Sequence, residues 1–164
     1  MITIWVPKRL VEIDLYNVAA RSPQALADLS EQSYAQRVDY AAQKVQLSGA
    51  KIVMLTGPSA SGKTTSAHKV AEALEASGTP AHVISLDNFF KGAQYYPRLP
   101  DGTLDYENPD TLDMPLIRQC LSDLSTTGKT VLPIYDFTTE SRSSETETLD
   151  LKGGVCIVDT CASV

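Results

Sequence analysis

Apolar positions along the chain follow two periods, and the alternation between them predicts an α/β protein. From Ser22 onward, Leu26, Leu29, Tyr34, Val38, Ala41 and Val45 recur at helical spacing. Ser22 can cap that helix, Pro23 suits its first turn, and Ser48-Gly49 stops it. The apolar run 51–56 reads as a strand, and a helix follows from about Lys63 to Ala76. That helix carries Ala67, Val70, Ala71 and Leu74 on one side and ends at Gly78. Residues 81–86 read as a second strand, so the three elements form a βαβ unit and imply a parallel sheet. A turn-rich stretch, 91–110, precedes a helix with the stripe Leu116, Ile117, Cys120, Leu121 and Leu124, capped by Asp113 and ended by Gly128. Residues 130–135 form the third expected strand, with Pro133 marking an edge position or an irregularity. A polar stretch 138–147, a small strand at 146–151 and the Gly153-Gly154 turn lead to Val155–Asp159, a fully buried strand. Near the start, Ile2, Ile4 and Val6 alternate like a short strand.

Between the first strand and its helix lies Gly57-Pro58-Ser59-Ala60-Ser61-Gly62-Lys63-Thr64-Thr65. Gly57, Gly62, Lys63 and Thr64 match G-x-x-x-x-G-K-[ST], in the strand–loop–helix context that the phosphate-binding loop requires. Glycines let the backbone curl so that successive N–H groups face one concavity, and the helix N-terminus adds partial positive charge. In the usual roles Lys63 reaches the β- and γ-phosphates of ATP, and the Thr64 hydroxyl ligates Mg²⁺. Residues 57–65 are therefore the candidate cofactor-binding residues.

Two carboxylates end strands on the same side. Asp87 follows the second strand, where ligands of open parallel sheets sit. It could accept a proton from a substrate hydroxyl, or hold Mg²⁺ directly or through water. Asp159 closes the buried strand 155–159, as expected of a Walker B-type Mg²⁺ site. Thr64, Asp87 and Asp159 are the candidate metal residues, and Asp87 and Lys63 the candidate catalytic pair. Phe89 and Phe90 wall an aromatic pocket or pack the core. The loop 91–110 is long enough to serve as a lid or substrate loop.

Composition narrows the partners. A chain of 164 residues with 43% hydrophobic residues can build one core. A net charge of −6 argues against a sequence-independent nucleic-acid binder, which needs a basic face. Cys120, Cys156 and Cys161 form no C-x-x-C pair, so reduced thiols and a cytoplasmic location are expected. The N-terminal apolar run lacks a leading basic region and stops at Pro7-Lys8-Arg9; neither a signal peptide nor a membrane span is expected.

Several blocks together carry a resemblance. The loop 57–65, then Ser85-Leu86-Asp87-Asn88-Phe89-Phe90, Asp105-Tyr106-Glu107-Asn108-Pro109-Asp110-Thr111-Leu112-Asp113, and Leu132-Pro133-Ile134-Tyr135-Asp136-Phe137 resemble the uridine kinase and phosphoribulokinase family of P-loop kinases. Order and spacing match from about residue 50 to 160. The resemblance implies a P-loop NTPase-type three-layer sandwich with a mainly parallel sheet, and ATP-dependent phosphorylation of a nucleoside 5′-hydroxyl. It puts Asp87 at the catalytic-base position and Tyr106, Tyr135 and Phe137 in the nucleoside pocket. Glu107 stands where these kinases usually carry an aspartate that holds the ribose hydroxyls. Phe90, three residues after Asp87, and Arg142, the one cation of the polar stretch, join the candidate substrate residues.

Three departures bear on function. Glu140 occupies the position of a base-contacting histidine. Asp159-Thr160-Cys161 replaces a usual Glu-Gly-apolar pattern. The sequence ends where the family continues into further strands, helices and an arginine-bearing lid, so a C-terminally truncated domain is expected. Residues 1–50 are then an N-terminal extension with one helix (about 22–48), packed on the domain edge or, alternatively, binding a partner; 51–164 are the kinase domain. A sheet ending at its fourth main strand should expose apolar edge surface, so marginal stability or self-association is expected. The alternative function is a truncated nucleotide-binding module with weak or no catalysis. A GTPase lacks support because no Asn-Lys-x-Asp segment is present, and protein-kinase motifs are absent.

Overall fold

The computed structural model describes residues 13–58 and 60–161. The strand expected at 2–6 and the loop residue Ser59 lie outside these. The elements are α1 (Ile13–Ala19), α2 (Pro23–Ser48), β1 (Ile52–Gly57), α3 (Lys63–Ala76), β2 (Ala81–Ser85), α4 (Met114–Thr126), β3 (Lys129–Asp136), β4 (Ser141–Asp150) and β5 (Val155–Cys161). Short 3₁₀ turns cover Leu86–Phe89, Ala93–Tyr95 and Pro109–Thr111.

The central sheet is parallel, in the order β1-β5-β2. The βαβ crossover through α3 thus leaves a slot between its two strands, and β5 fills it. Val155, Cys156, Ile157 and Val158 of β5 are all buried, as a parallel strand covered on both faces must be. Strand alternation divides them. Val155 and Ile157 pack with Ala67, Ala71 and Leu74 of α3 and Ala42 and Val45 of α2. Cys156 and Val158 face the other way, towards Ile117, Cys120 and Leu124 of α4. Helices therefore cover both faces of the sheet, which makes three layers. Burial pushes the Cys156 thiol up to about 12, so it stays a neutral core group.

Three expectations need correction. The stretch before residue 50 carries two helices among the described residues, α1 as well as α2, where one was expected. The strand at 130–135 does not join the parallel sheet; β3 pairs antiparallel with β4 in a separate two-stranded sheet. The central sheet consequently has three strands among the described residues rather than four. In addition, β4 starts at Ser141, inside the stretch expected to be a polar loop. Its Ser, Thr and Glu residues are mostly exposed, so no hydrophobic alternation marks it, and pairing with β3 overrides weak propensity. Pro133 behaves as anticipated, with a register shift between it and Tyr135.

The helical stripe of α2 is buried only in part. Val38, Ala42 and Val45 are buried, whereas Leu29 is 63% exposed. The side-chain hydrogen bonds from α2 to α3 run from Tyr34 to Gln46, and Leu29 lies outside that span. No helix among the described residues is long and apolar enough to cross a membrane.

One glycine fixes how β2 and β5 begin. Val155 N–H donates to Pro80 O (2.9 Å), and a Cβ on Gly154 would lie 2.1 Å from that same oxygen. Gly154→Ala must push the strands apart and is expected to cost about 3 kcal/mol, in the range of core overpacking. Chemical denaturation measures it.

Candidate active site

The site grows from the carboxyl ends of the three parallel strands. Register puts Asp159 of β5 opposite Leu55 of β1 on one side and Ser85 of β2 on the other. Gly57 closes β1, and the chain turns through Ala60 (φ 57°) and Gly62 (φ 80°) before α3 starts at Lys63. Two left-handed residues so close together bend the backbone N–H groups towards one concavity, the form of an anion nest. A Cβ on Gly57 would meet Ser61 Oγ at 3.2 Å and Lys63 Cδ at 3.4 Å, so glycine keeps this cradle open. Lys63 Nζ donates to Pro58 O (2.8 Å), folded back over the loop.

The first turn of α3 is joined directly to β5. The Thr64 hydroxyl donates to Asp159 Oδ2. Asp159 is buried, and its Oδ1 has no hydrogen-bond partner among the described residues. An orphaned carboxylate oxygen beside a hydroxyl and a phosphate cradle is a donor set suited to a hard divalent cation. No group of three or more His, Cys, Asp or Glu residues able to hold a metal occurs among the described residues. The protein oxygens would thus need a nucleotide's phosphates to complete the shell, which is how Mg²⁺ is usually bound.

Asp87 sits in the 3₁₀ turn after β2, where its N–H donates to Ser85 Oγ (3.2 Å). Burial raises its carboxyl above the ordinary carboxylate value, and the Asp159 charge raises it further. The Lys63 ammonium and the Ser85 hydroxyl pull it partly back. Lys63, Thr64, Asp87 and Asp159 therefore form one constellation, drawn from α3, the 3₁₀ turn and β5.

Beyond Asp87 lies an aromatic cluster. Phe90 and Tyr135 have ring centroids 5.5 Å apart, and Tyr135 and Phe137 meet edge-on at 5.0 Å. Tyr96 joins them, 6.0 Å from Phe90 and 5.6 Å from Tyr106. Its hydroxyl is 3.1 Å from that of Tyr135, and burial followed by this contact lifts its pKa well above the usual phenol range. Tyr106 and Phe137 are 53% and 62% exposed and form the rim. The loop 91–110 thus contributes a buried side chain that sequence reading missed. Its only signal was a Tyr95-Tyr96 pair before Pro97, where nothing in the pattern distinguishes the buried ring from the exposed one.

The remaining candidates are placed less directly. Glu140 is exposed in the turn between β3 and β4, with positive φ (48°), and its carbonyl accepts from Ala93 N–H (3.0 Å). Glu107 is exposed next to Tyr106. Arg142 is turned into the scaffold: it pairs with Asp113 (3.0 Å) and donates to the carbonyls of Phe89 (3.3 Å) and Phe90 (3.2 Å). It clamps the segment after Asp87 to the cap of α4, since Asp113 Oδ1 also accepts from Leu116 N–H.

A parallel sheet with a phosphate cradle after its first strand, and acids closing the strands beside it, defines a P-loop protein. Residues 52–157 match the sequence profile of the Phosphoribulokinase / Uridine kinase family, and the chain belongs to that family. It is 35% identical over 95 residues to a uridine kinase of Lactobacillus helveticus, covering 58% of this chain and 44% of that protein. It is 37% identical over 97 residues to uridine-cytidine kinase-like 1 of Mus musculus, covering 58% of this chain and 17% of that one. Among solved structures, a possible uridine kinase from Bacillus stearothermophilus superposes with a TM-score of 0.62 at 22% identity. That superposition covers 76% of this chain and 69% of the other. The matches span less than half the length of the two curated relatives.

Proposed function

We propose that this chain transfers the γ-phosphoryl group of ATP to the hydroxyl of a nucleoside-like acceptor. The observation that carries the reading is the joining of the phosphate cradle to two strand-end acids: Thr64 bonds Asp159, and Asp87 closes the adjacent strand. Residues 57–65 grip the phosphates, and Lys63 leaves Pro58 O to neutralise them. Thr64 and Asp159, with Asp87, would hold Mg²⁺, which would offset charge on the phosphates. Asp87 accepts the acceptor's hydroxyl proton as the oxygen attacks phosphorus, the β–γ P–O bond breaks, and ADP leaves. Phe90, Tyr135, Phe137 and Tyr106 enclose the acceptor's ring, with Glu107 on its sugar hydroxyls and Glu140 near its base. Arg142 acts by positioning the Phe89 and Phe90 carbonyls.

In this reading the kinase domain starts at about residue 51, close to where the family match begins at 52, with 1–50 as an N-terminal extension. A cytoplasmic location and self-association through the outer edge of β1, where Met54 is 52% exposed, belong to the same proposal. Sedimentation of Met54→Glu against the wild type tests the latter, and a monomeric wild type ends it.

A second reading is nucleotide binding without turnover. It is favoured by Arg142, which is committed to Asp113 and so is not free to meet a transferring phosphoryl group. Incubation with Mg·ATP and a panel of nucleosides separates the two, because product above the Asp87→Asn background requires catalysis. Lys63→Ala is expected to weaken Mg·ATP binding about 100-fold, from the loss of charge-assisted hydrogen bonds to phosphate. Unchanged affinity in that variant, measured by calorimetry, would remove the phosphate site from both readings.

A further inference from the structure

Of the four rings that the proposed function places around the acceptor, three already touch one side chain, Tyr96. We propose that Tyr96 is a plug: it fills the acceptor's ring position in the free chain and must leave before an acceptor ring can enter. The inference rests on the reading of Phe90, Tyr106, Tyr135 and Phe137 as the acceptor's walls.

The local chain directs Tyr96 inward. Ala93–Tyr95 form a 3₁₀ turn, and Tyr96 follows in an extended conformation (φ −74°, ψ 140°). Pro97 favours that conformation, because its ring clashes with a helical residue placed before it. The step from turn to extended backbone separates two neighbouring tyrosines, leaving Tyr95 exposed and Tyr96 buried.

Once inside, the Tyr96 ring stands between the walls. Its centroid is 6.0 Å from that of Phe90 and 5.6 Å from that of Tyr106, which it meets edge-on. Its hydroxyl is 3.1 Å from that of Tyr135. A side chain in contact with three walls occupies the space they share. Protein interiors are packed too closely for a second ring to enter beside it.

Tyr96 is mounted so that it can go. Its loop is closed at the base by the Phe90–Leu112 bridge and by Lys91 N–H donating to Thr111 O (2.9 Å). Further out, Leu99 N–H donates to Thr103 O (2.8 Å), so the tip folds on itself. Ala93 N–H donates to Glu140 O (3.0 Å), and this bond and the hydroxyl contact tie the loop across to β3 and the turn after it. Turning the Tyr96 side chain out breaks neither base nor tip. The cost is one buried ring and one hydroxyl contact. An acceptor restores both when it brings a flat ring to Phe90 and Tyr106 and a polar edge to the Tyr135 hydroxyl. Its apparent affinity is lowered by the fraction of chains in which Tyr96 is out.

Calorimetry of the whole chain with uridine, cytidine, adenosine and guanosine tests the plug. Tyr96→Phe keeps the ring and loses the hydroxyl contact, and is expected to tighten nucleoside binding about fivefold, the size of one neutral hydrogen bond. Tyr96→Ala removes the ring, and about 100-fold tighter binding is expected, because the acceptor fills the cavity left behind. Weaker or unchanged binding in Tyr96→Phe makes Tyr96 a fixed wall and overturns the inference, whether or not Tyr96→Ala folds. Nitration of the wild type, read by peptide mass, gives an independent readout. Saturating nucleoside should speed modification of Tyr96 and slow that of the exposed Tyr106. Slower or unchanged nitration of Tyr96 would likewise overturn the plug. Nucleoside binding by neither the wild type nor the variants ends the acceptor-pocket reading and this inference together.

Discussion

Asp87→Asn is expected to lower phosphoryl transfer by roughly 10²–10⁴-fold, the usual contribution of a positioned general base, and at the same time to raise the melting temperature. The first effect follows from losing the proton acceptor at the end of β2. The second follows from linkage. Burial, then the Asp159 charge, raises the folded-state carboxyl of Asp87 above its ordinary value. In the window between the unfolded and the raised folded pKa, the folded chain holds a proton that the unfolded chain has released. Stability contributed by this group is complete below the unfolded pKa and falls as pH rises through the window. At neutral pH the ionised carboxylate therefore opposes folding, and a neutral amide of the same shape relieves that opposition. Thermal melts of both proteins in metal-free buffer should separate at pH 7 and converge at acid pH. Full activity in the variant would remove Asp87 as the base. A lower melting temperature at pH 7 would remove the electrostatic account of its environment.

The phosphate loop, the two acids and the helix stripes were legible because each depends on local chain chemistry. A glycine-bounded loop between a strand and a helix, or an acid closing an apolar run, is the same in sequence and in space. The partner of β3 was not legible. β4 buries almost none of its residues until Leu149, so it carries no alternation, and only its pairing with β3 makes it a strand. The role of Arg142 was hidden for a related reason. Its three partners lie 29 to 53 residues away, and a lone cation in a polar stretch looks available until the fold brings Asp113 and the Phe89 and Phe90 carbonyls to it. Tyr96 shows the same limit inside the site. Its burial depends on rings from β3 and from the segment after Asp87, and nothing adjacent in the chain announces it.

The buried rings and the tied arginine have a joint consequence. Tyr96, Tyr135 and Phe90 support one another, and Arg142 holds the backbone on which Phe90 is mounted. The proposed acceptor side is therefore held together by contacts within the protein. On the proposed phosphate side, Lys63 donates to Pro58 O, and Asp159 Oδ1 has no partner among the described residues. In the proposed reaction, binding energy spent on the phosphate side would bring Lys63 and Asp159 to the phosphates.

Asp159→Asn tests that division. Asp159 Oδ2 is engaged by the Thr64 hydroxyl, and its buried Oδ1 has no partner among the described residues. Such an oxygen is costly to keep unless a donor or a cation answers it when ligand binds. In the wild type, ATP should bind more tightly in Mg²⁺ than in a chelator, and the ratio should collapse in Asp159→Asn. The expected loss of Mg²⁺-dependent affinity is about 100-fold, the upper end of what removing even an outer-shell partner costs a metal site. Affinity in the chelator should hardly change, because the backbone cradle and Lys63 are untouched. Thr64→Val removes the neighbouring hydroxyl and should reduce the same ratio, with Asp159 left as a ligand. Calorimetric titration of ATP with and without Mg²⁺, and of Mn²⁺ read by its paramagnetic signal, gives both numbers. A preserved ratio in Asp159→Asn would mean that β5 ends in a structural acid, and the cation would then have to be held by Thr64 and Asp87.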